Sequence, residues 1–361
     1  MTNTVISTRA RAKQWDSNFF REYVRGNRYK PFMGSDENAV IQVNMNLTKN
    51  QGDAFTFNLV GAIDAAAGPN NGSTSLVGNE KAMPNDGWQV NVGVVRDAVV
   101  INGMEVQASA FDAREAARVQ LKELSNRYLR NSITTALGSI DGIPYTTATS
   151  GQRNTWNANN SDRVLYGNLT ANYNATMATA LTSITAGQKL SRAVVSMAKR
   201  RAMNAVAVNG EGIRPVRYGQ DFESFVMFVD SRSYRDLVED MGSNWQQAQP
   251  RSEDNPLFKT PMSLWWDNVL VVNVPSIASL GNVGAGGTVP VSPYYLCGAQ
   301  AIGLAWAQTT QTTVRKEDDY GFQRGVGFME IRGLGKIQWG QGGTAKDWGV
   351  LSGFVAAAAD A

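Results

Sequence analysis

The chain of 361 residues predicts an α+β fold, and three observations carry that prediction. Apolar and polar residues alternate over three separate runs between 41 and 94. A single long helical stripe lies between about 111 and 137. Two uninterrupted apolar runs, Phe225–Val229 and Val269–Val272, read as strands buried on both faces. With 43% hydrophobic and 18% charged residues, the chain has enough apolar surface to build cores and too few charges to stay unfolded.

The alternating runs come first. Ile41, Val43, Met45 and Leu47 share one face, with Gln42, Asn44, Asn46 and Thr48 between them. After the turn signal "NQGD", Phe55, Phe57 and Leu59 repeat the pattern, and Trp88, Val90, Val92 and Val94 supply a returning strand. Between them, Gly61 to Gly87 is rich in Gly, Asn, Ser and Ala, far longer than an ordinary hairpin turn. A two-stranded hairpin is marginal alone in water, so something must cover its apolar face.

The helix follows. Ala117, Leu121, Leu124, Tyr128, Leu129, Ile133 and Leu137 fall on one side at helical spacing. Asp112 with Glu115, or Ser109 with Asp112, has capping-box spacing at its start, and Gly138 stands at its end. At 1.5 Å per residue it would be roughly 40 Å long. Residues 139–168 read as an irregular, loop-rich segment. Two shorter helices are expected at about 171–184 and 189–205, separated at Gly187. "IRPVRYGQDFESFVMFVDSRSYRDLVED" reads strand, strand, helix, and "NVLVVNVPSI" reads as another strand. Short alternating runs separated by glycines occupy the region from Tyr294 onward, and the Ala-rich end after Gly353 is expected to fray.

Chemistry is limited by what is missing. With no histidine, Ser-His-Asp and Cys-His catalysis and imidazole-ligated zinc are excluded, while carboxylate, lysine and tyrosine chemistry stays open. Cys297 is the single cysteine, cannot form an intrachain disulfide, and reads as a small buried hydrophobe. "SLGNVGAGGTV" at 279–289 lacks the dinucleotide-loop order, and "GLGKI" at 333–337 lacks the phosphate-loop spacing. "KEDDYG" at 316–321 reads as a solvated acidic turn or a salt-bridge partner for a neighbouring subunit, and "MAKRRAMNA" at 197–205 as a solvated helix face. No signal-peptide core and no run of eighteen apolar residues is found, so neither secretion by that route nor a membrane span is expected.

Charge is unevenly placed. The net charge is +3, from 34 basic and 31 acidic groups. Residues 1–30 hold Arg9, Arg11, Lys13, Arg21, Arg25, Arg28 and Lys30 against Asp16 and Glu22, which leaves 27 basic and 29 acidic groups elsewhere. A basic arm on a slightly acidic body can bind nucleic acid or the bodies of its own neighbours.

The order of these parts, with the blocks "LTKNQGDAFTFNLVGAI", "LVGNEKAM", "VVRDAVVINGMEVQASAFDAREAARVQL", "DRVLYGN", "IRPVRYGQDFESFVMFVDSRSYRDL", "CGAQAIGLAW" and "KEDDYGFQRGVGFMEIRGLGKIQWG", resembles the major capsid proteins of tailed phages. Those proteins share the Hong Kong 97 fold, and the blocks look like its podovirus-type branch from about 30 to 345. The resemblance implies an N-terminal arm at 1–38 and a hairpin E-loop at 39–103. It also implies a peripheral P-domain at 104–188, with a spine helix at about 111–137, that resumes at 301–345. An axial A-domain at 189–300 and a C-terminal tail at 346–361 complete the set.

The implied function is self-assembly into hexamers and pentamers of an icosahedral shell around double-stranded DNA. An encapsulin-like nanocompartment shell is the alternative on the same fold. No catalytic residue, cofactor or metal is implied. Subunit contacts are expected from Arg9, Arg11, Arg21, Arg25 and Arg28 of the arm, from Phe55, Phe57, Leu59, Trp88, Val90 and Val92 of the hairpin, and from Glu317, Asp318 and Asp319. The expected partners are other copies of the chain, a separate scaffolding protein, a portal and a decoration protein, with packaged DNA nearby and no membrane. The expected location is the virion capsid, with assembly in the host cytoplasm. Some relatives cross-link an E-loop lysine to a neighbouring asparagine; Lys49 and Lys81 lie in that region without a pattern that marks them, so no such ladder is expected.

Overall fold

The computed structural model describes residues 25–45, 54–66, 68–73, 75–102, 104–105, 112–218, 222–242, 263–315, 323–340 and 344–359. Two compact units are formed, one from Val94–Tyr128 and Thr309–Ile331 with Arg25 and Gly26, the other from Asn27–Gly93, Leu129–Gln308 and Arg332–Ala361.

Two larger sheets organise the strands. The first joins β1 (Met33–Gly34), β2 (Ile41–Asn44), β12 (Ile302–Arg315), β13 (Gln323–Lys336) and β5 (Gly93–Asn102) in the order β1-β2-β12-β13-β5. The hairpin of β3 (Ala54–Val60) and β4 (Asn85–Asn91) forms its own two-stranded sheet. A second large sheet has seven strands in the order β6 (Val164–Tyr166), β16 (Val350–Ala356), β11 (Val291–Cys297), β8 (Phe222–Val229), β10 (Val269–Asn273), β9 (Ser263–Trp266), with β7 (Val216–Tyr218) also paired to β8. A short pair, β14 (Gln338–Trp339) and β15 (Lys346–Asp347), completes the set.

The apolar run Phe225–Val229 is buried on both faces of this seven-stranded sheet, which is why it shows no alternation. Phe225, Met227 and Val229 join one core with Val194, Val195 and Ala198 of helix α4 (Arg192–Asn204) and Leu237 of helix α5 (Ser231–Met241). Val226 and Phe228 face the opposite core, with Tyr29, Phe32, Ile133 and Leu137. The Tyr29 ring meets Phe228 edge-on at 4.9 Å, and its hydroxyl shares a 3.0 Å hydrogen bond with Thr134. The arm expected at 1–38 is therefore docked into its own chain from Tyr29 to Phe32, because two aromatic rings there have a core to fill.

Helix α1 runs from Ala113 to Leu137. Asp112 caps it, its Oδ1 accepting from the Arg114 and Glu115 amides at 3.0 and 3.1 Å. The expected stripe is its inner face, with Ala117, Leu121, Ile133 and Leu137 buried.

Three expectations change. Residues 139–168 are not simply irregular: Ser150–Asn159 is helix α2, started by a reciprocal capping box between Thr149 and Gln152. The helix expected at 171–184 is only α3, Met177–Thr182, because Thr176 N–H turns onto Asn174 Oδ1 and Met177 N–H onto Asn154 Oδ1. The Ala-rich end does not fray over 350–356. It forms β16 between β11 and β6, where Gly353 makes room for the Tyr294 ring that a β-carbon there would strike.

Candidate subunit-interface surface

The hairpin pairs antiparallel in a register that sets Phe55 opposite Val90, Phe57 opposite Trp88 and Leu59 opposite Asp86. Its inward residues are Phe57, Leu59, Trp88 and Val90, and its outward ones are Thr56, Asn58, Val60, Asn85, Gly87, Gln89 and Asn91. The inward four form one cluster with Ala305 and Ile337, flanked by Phe55, Val92, Trp339 and Trp348. The Phe57 and Trp88 rings are 5.4 Å apart, and Asp86 accepts the Gly340 amide at 2.6 Å.

This corrects the expectation for the hairpin. Phe57, Leu59, Trp88 and Val90 are 9%, 5%, 4% and 7% exposed and are covered by their own chain, so they are not surface offered to a neighbour. Phe55 and Val92 are half-buried at the edge of the same cluster. The physical reason is the one that makes an isolated hairpin marginal: its apolar face is buried intramolecularly before any partner arrives.

Beyond this anchored base the chain is solvent-facing. Pro84 O accepts the Gly61 amide at 2.9 Å and closes the neck. From Ala62 to Met83 every described residue except Gly68 is exposed. The loop still has internal bonds: Lys81 Nζ donates to Gly68 O at 2.8 Å, Asn70 Nδ2 to Asn79 O at 3.1 Å, and Asn79 Nδ2 to Ser75 O at 2.8 Å. Asn209 Nδ2 reaches the Ala62 carbonyl at 3.3 Å and steadies the loop where it leaves the neck.

On this frame sit Ile63, Leu76, Val77 and Met83, at 52%, 65%, 83% and 56% exposure. Val94, Val99, Val100 and Met104 add further exposed apolar groups on and after β5. Pattern reasoning passed over all of these except Val94, which it read onto the inward face of the returning strand and which is exposed instead. A signal was present: "SLVG" sets two bulky apolar residues beside the turn-forming run "GPNNGSTS", where no period explains them.

The remaining expected contacts divide as follows. Arg25 is exposed; Arg28 is half-buried, and its guanidinium donates to the Asn273 carbonyl of its own chain. Arg9, Arg11, Arg21, Glu317, Asp318, Asp319 and Lys49 lie outside the described residues. Lys81 is occupied by Gly68. Among the described residues no cluster of Cys, Asp and Glu is arranged to hold a metal, and no helix is long and apolar enough to cross a membrane. Cys297 is fully buried, and burial pushes its thiol well above the ordinary range.

An anchored hairpin that carries an exposed apolar loop presents a surface suited to contact with other protein. The family described as phage capsid protein matches residues 3–359, and the chain belongs to that family. The major capsid protein of Pseudomonas phage KPP25 is 25% identical over 392 residues, spanning 99% of this chain and 98% of that protein. Among solved structures, the capsid asymmetric unit of cyanophage Pam1 is similar at a TM-score of 0.86 and 31% identity, with 100% of both chains covered. The capsid of Ralstonia phage GP4 is similar at 0.80 and 22%, again over 100% of both chains. The fold is that of the Hong Kong 97-type phage capsids. The chain is a structural subunit of a phage capsid and associates with its own copies in the virion shell.

Proposed function

We propose that this chain forms the hexamers and pentamers of an icosahedral shell around double-stranded DNA, with the hairpin loop as its adaptable contact. The single observation that carries this reading is the loop at 62–83, whose described residues are exposed except Gly68 and which bears Ile63, Leu76, Val77 and Met83 on a base held firmly by its own chain. Covering such groups is favourable by roughly 25 cal/mol per Å² of apolar area. On a lone subunit that gain is unrealised; beside a second copy it is available.

In this reading residues 39–103 act as the E-loop, 104–188 and 301–345 as the P-domain, and 189–300 as the A-domain. β6 and β16 extend the A-domain sheet with residues from outside that range. The arm, through Arg9, Arg11, Arg21 and Arg25, and the acidic segment Glu317–Asp319 contribute electrostatic contacts between neighbours. A separate scaffolding protein guides closure in the host cytoplasm, and a portal and a decoration protein complete the particle. The chain works as a structural subunit without catalysis and without a cofactor.

The test is sedimentation velocity of the purified protein with negative-stain microscopy of the fast fraction. Hexamers, tubes or closed shells support the proposal. A chain that stays monomeric with scaffold present overturns it.

A further inference from the structure

We propose that Lys336 and Asp347 condense to an intramolecular amide that staples the end of β13 to β15. Lys336 Nζ lies 2.6 Å from Asp347 Oδ2, and both side chains are only 1% exposed. The two groups sit on different strands, eleven positions apart in the chain, and both are withdrawn from bulk solvent.

The surroundings suit the reaction. The ammonium lies over the Trp156 ring, 5.0 Å from its centroid, and makes no well-directed hydrogen bond to the carboxylate it touches. Gln338 Nε2 donates to Asp347 Oδ1 at 3.0 Å and Trp156 Nε1 to Oδ2 at 3.2 Å. Asp141 Oδ1 accepts from the same Gln338 nitrogen at 3.1 Å and fixes its direction. The Asp347 amide donates to Asn160 Oδ1 at 2.8 Å, and Arg163 donates to the Asp347 carbonyl, so the backbone beneath the carboxylate is held from both sides. A nucleophile and a carbonyl carbon locked together in this way have the high effective concentration of an intramolecular reaction.

The balance needs no outside reagent. One ammonium proton passes to Asp347 Oδ2, leaving a neutral amine beside a neutral carboxylic acid. The amine lone pair attacks Cγ, and negative charge gathers on Oδ1, where the Gln338 N–H stabilises it as an oxyanion donor does. A second proton moves from the nitrogen to the Oδ2 hydroxyl, the Cγ–Oδ2 bond breaks, and one water leaves. One N–H remains on the new amide. Cavities of about 670 and 560 Å³ both reach Lys336 and can receive that water. The driving force is the replacement of a buried ion pair, which is costly to desolvate, by a neutral amide.

The proposal is independent of how the shell is built, and the test is intact-mass spectrometry of the full chain from purified particles, followed by peptide mapping. The expected mass is that of the sequence less one water, with the peptide containing Lys336 joined to the peptide beginning at Asp347. Lys336→Arg keeps the charge and should show the full sequence mass. Asp347→Asn should lose ammonia instead and converge on the mass of the bonded wild-type chain. A folded, assembled wild-type chain at its full sequence mass overturns the proposal. So does a water loss that maps elsewhere or survives in Lys336→Arg.

Discussion

The indole of Trp88 lies against the backbone of Gly303: a β-carbon at that glycine would come within 2.6 Å of the ring and 2.9 Å of Phe57. Gly335, on the next strand, leaves the same clearance, since its β-carbon would sit 2.8 Å from Trp88. Two glycines on β12 and β13 thus open the slot into which the hairpin docks, and the loop at 62–83 inherits its position from that slot.

Filling the slot should undock the hairpin. Gly303→Ala is expected to lose about 1–3 kcal/mol of stability, as over-packed cores do. Trp88→Ala should lose about 3–5 kcal/mol by leaving a cavity. Equilibrium denaturation in urea measures both. A Gly303→Ala protein as stable as the parent would show that the ring does not rest where it is described.

The loop should separate assembly from folding. Replacing Leu76 and Val77 together by Asp removes exposed groups that touch no core. The melting temperature should move little, since surface changes stay within about ±0.5 kcal/mol each. Sedimentation should nevertheless show subunits in place of shells. Normal shells from the double variant would remove this loop from the interface.

One cap ties the seven-stranded sheet to a helix. Asp230 Oδ1 accepts the Ser233 amide at 2.8 Å at the start of α5, and Oδ2 accepts the Ser292 hydroxyl of β11 at 2.9 Å. Asp230→Ala should cost about 1–2 kcal/mol from the cap, with more from the orphaned hydroxyl. Asp230→Asn, which keeps an acceptor for the amide, should recover part of the loss. Thermal melts of the pair decide it.

Stability should fall on the alkaline side. Burial raises the Cys297 thiol above its ordinary 9.0 and the Tyr29, Tyr166, Tyr294 and Tyr295 hydroxyls above 10.0. The folded state therefore keeps protons that the unfolded chain releases. The stability this provides is complete below the unfolded values and declines as pH rises past them. Calorimetry should find melting temperatures dropping from about pH 9 upward, with no histidine step near pH 6–7 because the chain has no histidine. A melting temperature that is flat through pH 10–11 would contradict the burial of these groups.

Much of the frame was legible in the residues. The period-two runs became β2, β3 and β4 over Ile41–Asn44, Ala54–Val60 and Asn85–Asn91, although Met45 and Val94, read onto the apolar faces, are exposed; the long stripe became α1 to within two residues, and the unbroken apolar runs became the doubly covered strands β8 and β10. These readings worked because side-chain period reports directly on which faces are buried. Helix α2 was missed because "SGQRNTWNAN" lacks an apolar stripe; its capping box, Thr149 with Gln152, was the available sign. The candidate contacts fared differently. Hairpin aromatics looked available to a neighbour because alternation says that a face is apolar without saying what covers it.

By itself, then, the sequence determined the elements, the exclusion of histidine chemistry and the resemblance to phage capsid proteins, since these depend on residue type, period and order. Only the tertiary structure decided that Phe57 and Trp88 spend their surface on Ala305 and Ile337, and that Leu76 and Val77 stay outside. It also brought Lys336 into contact with Asp347, as no spacing rule could. Burial is a property of what lies opposite a side chain, and for these residues the opposite wall comes from distant parts of the chain.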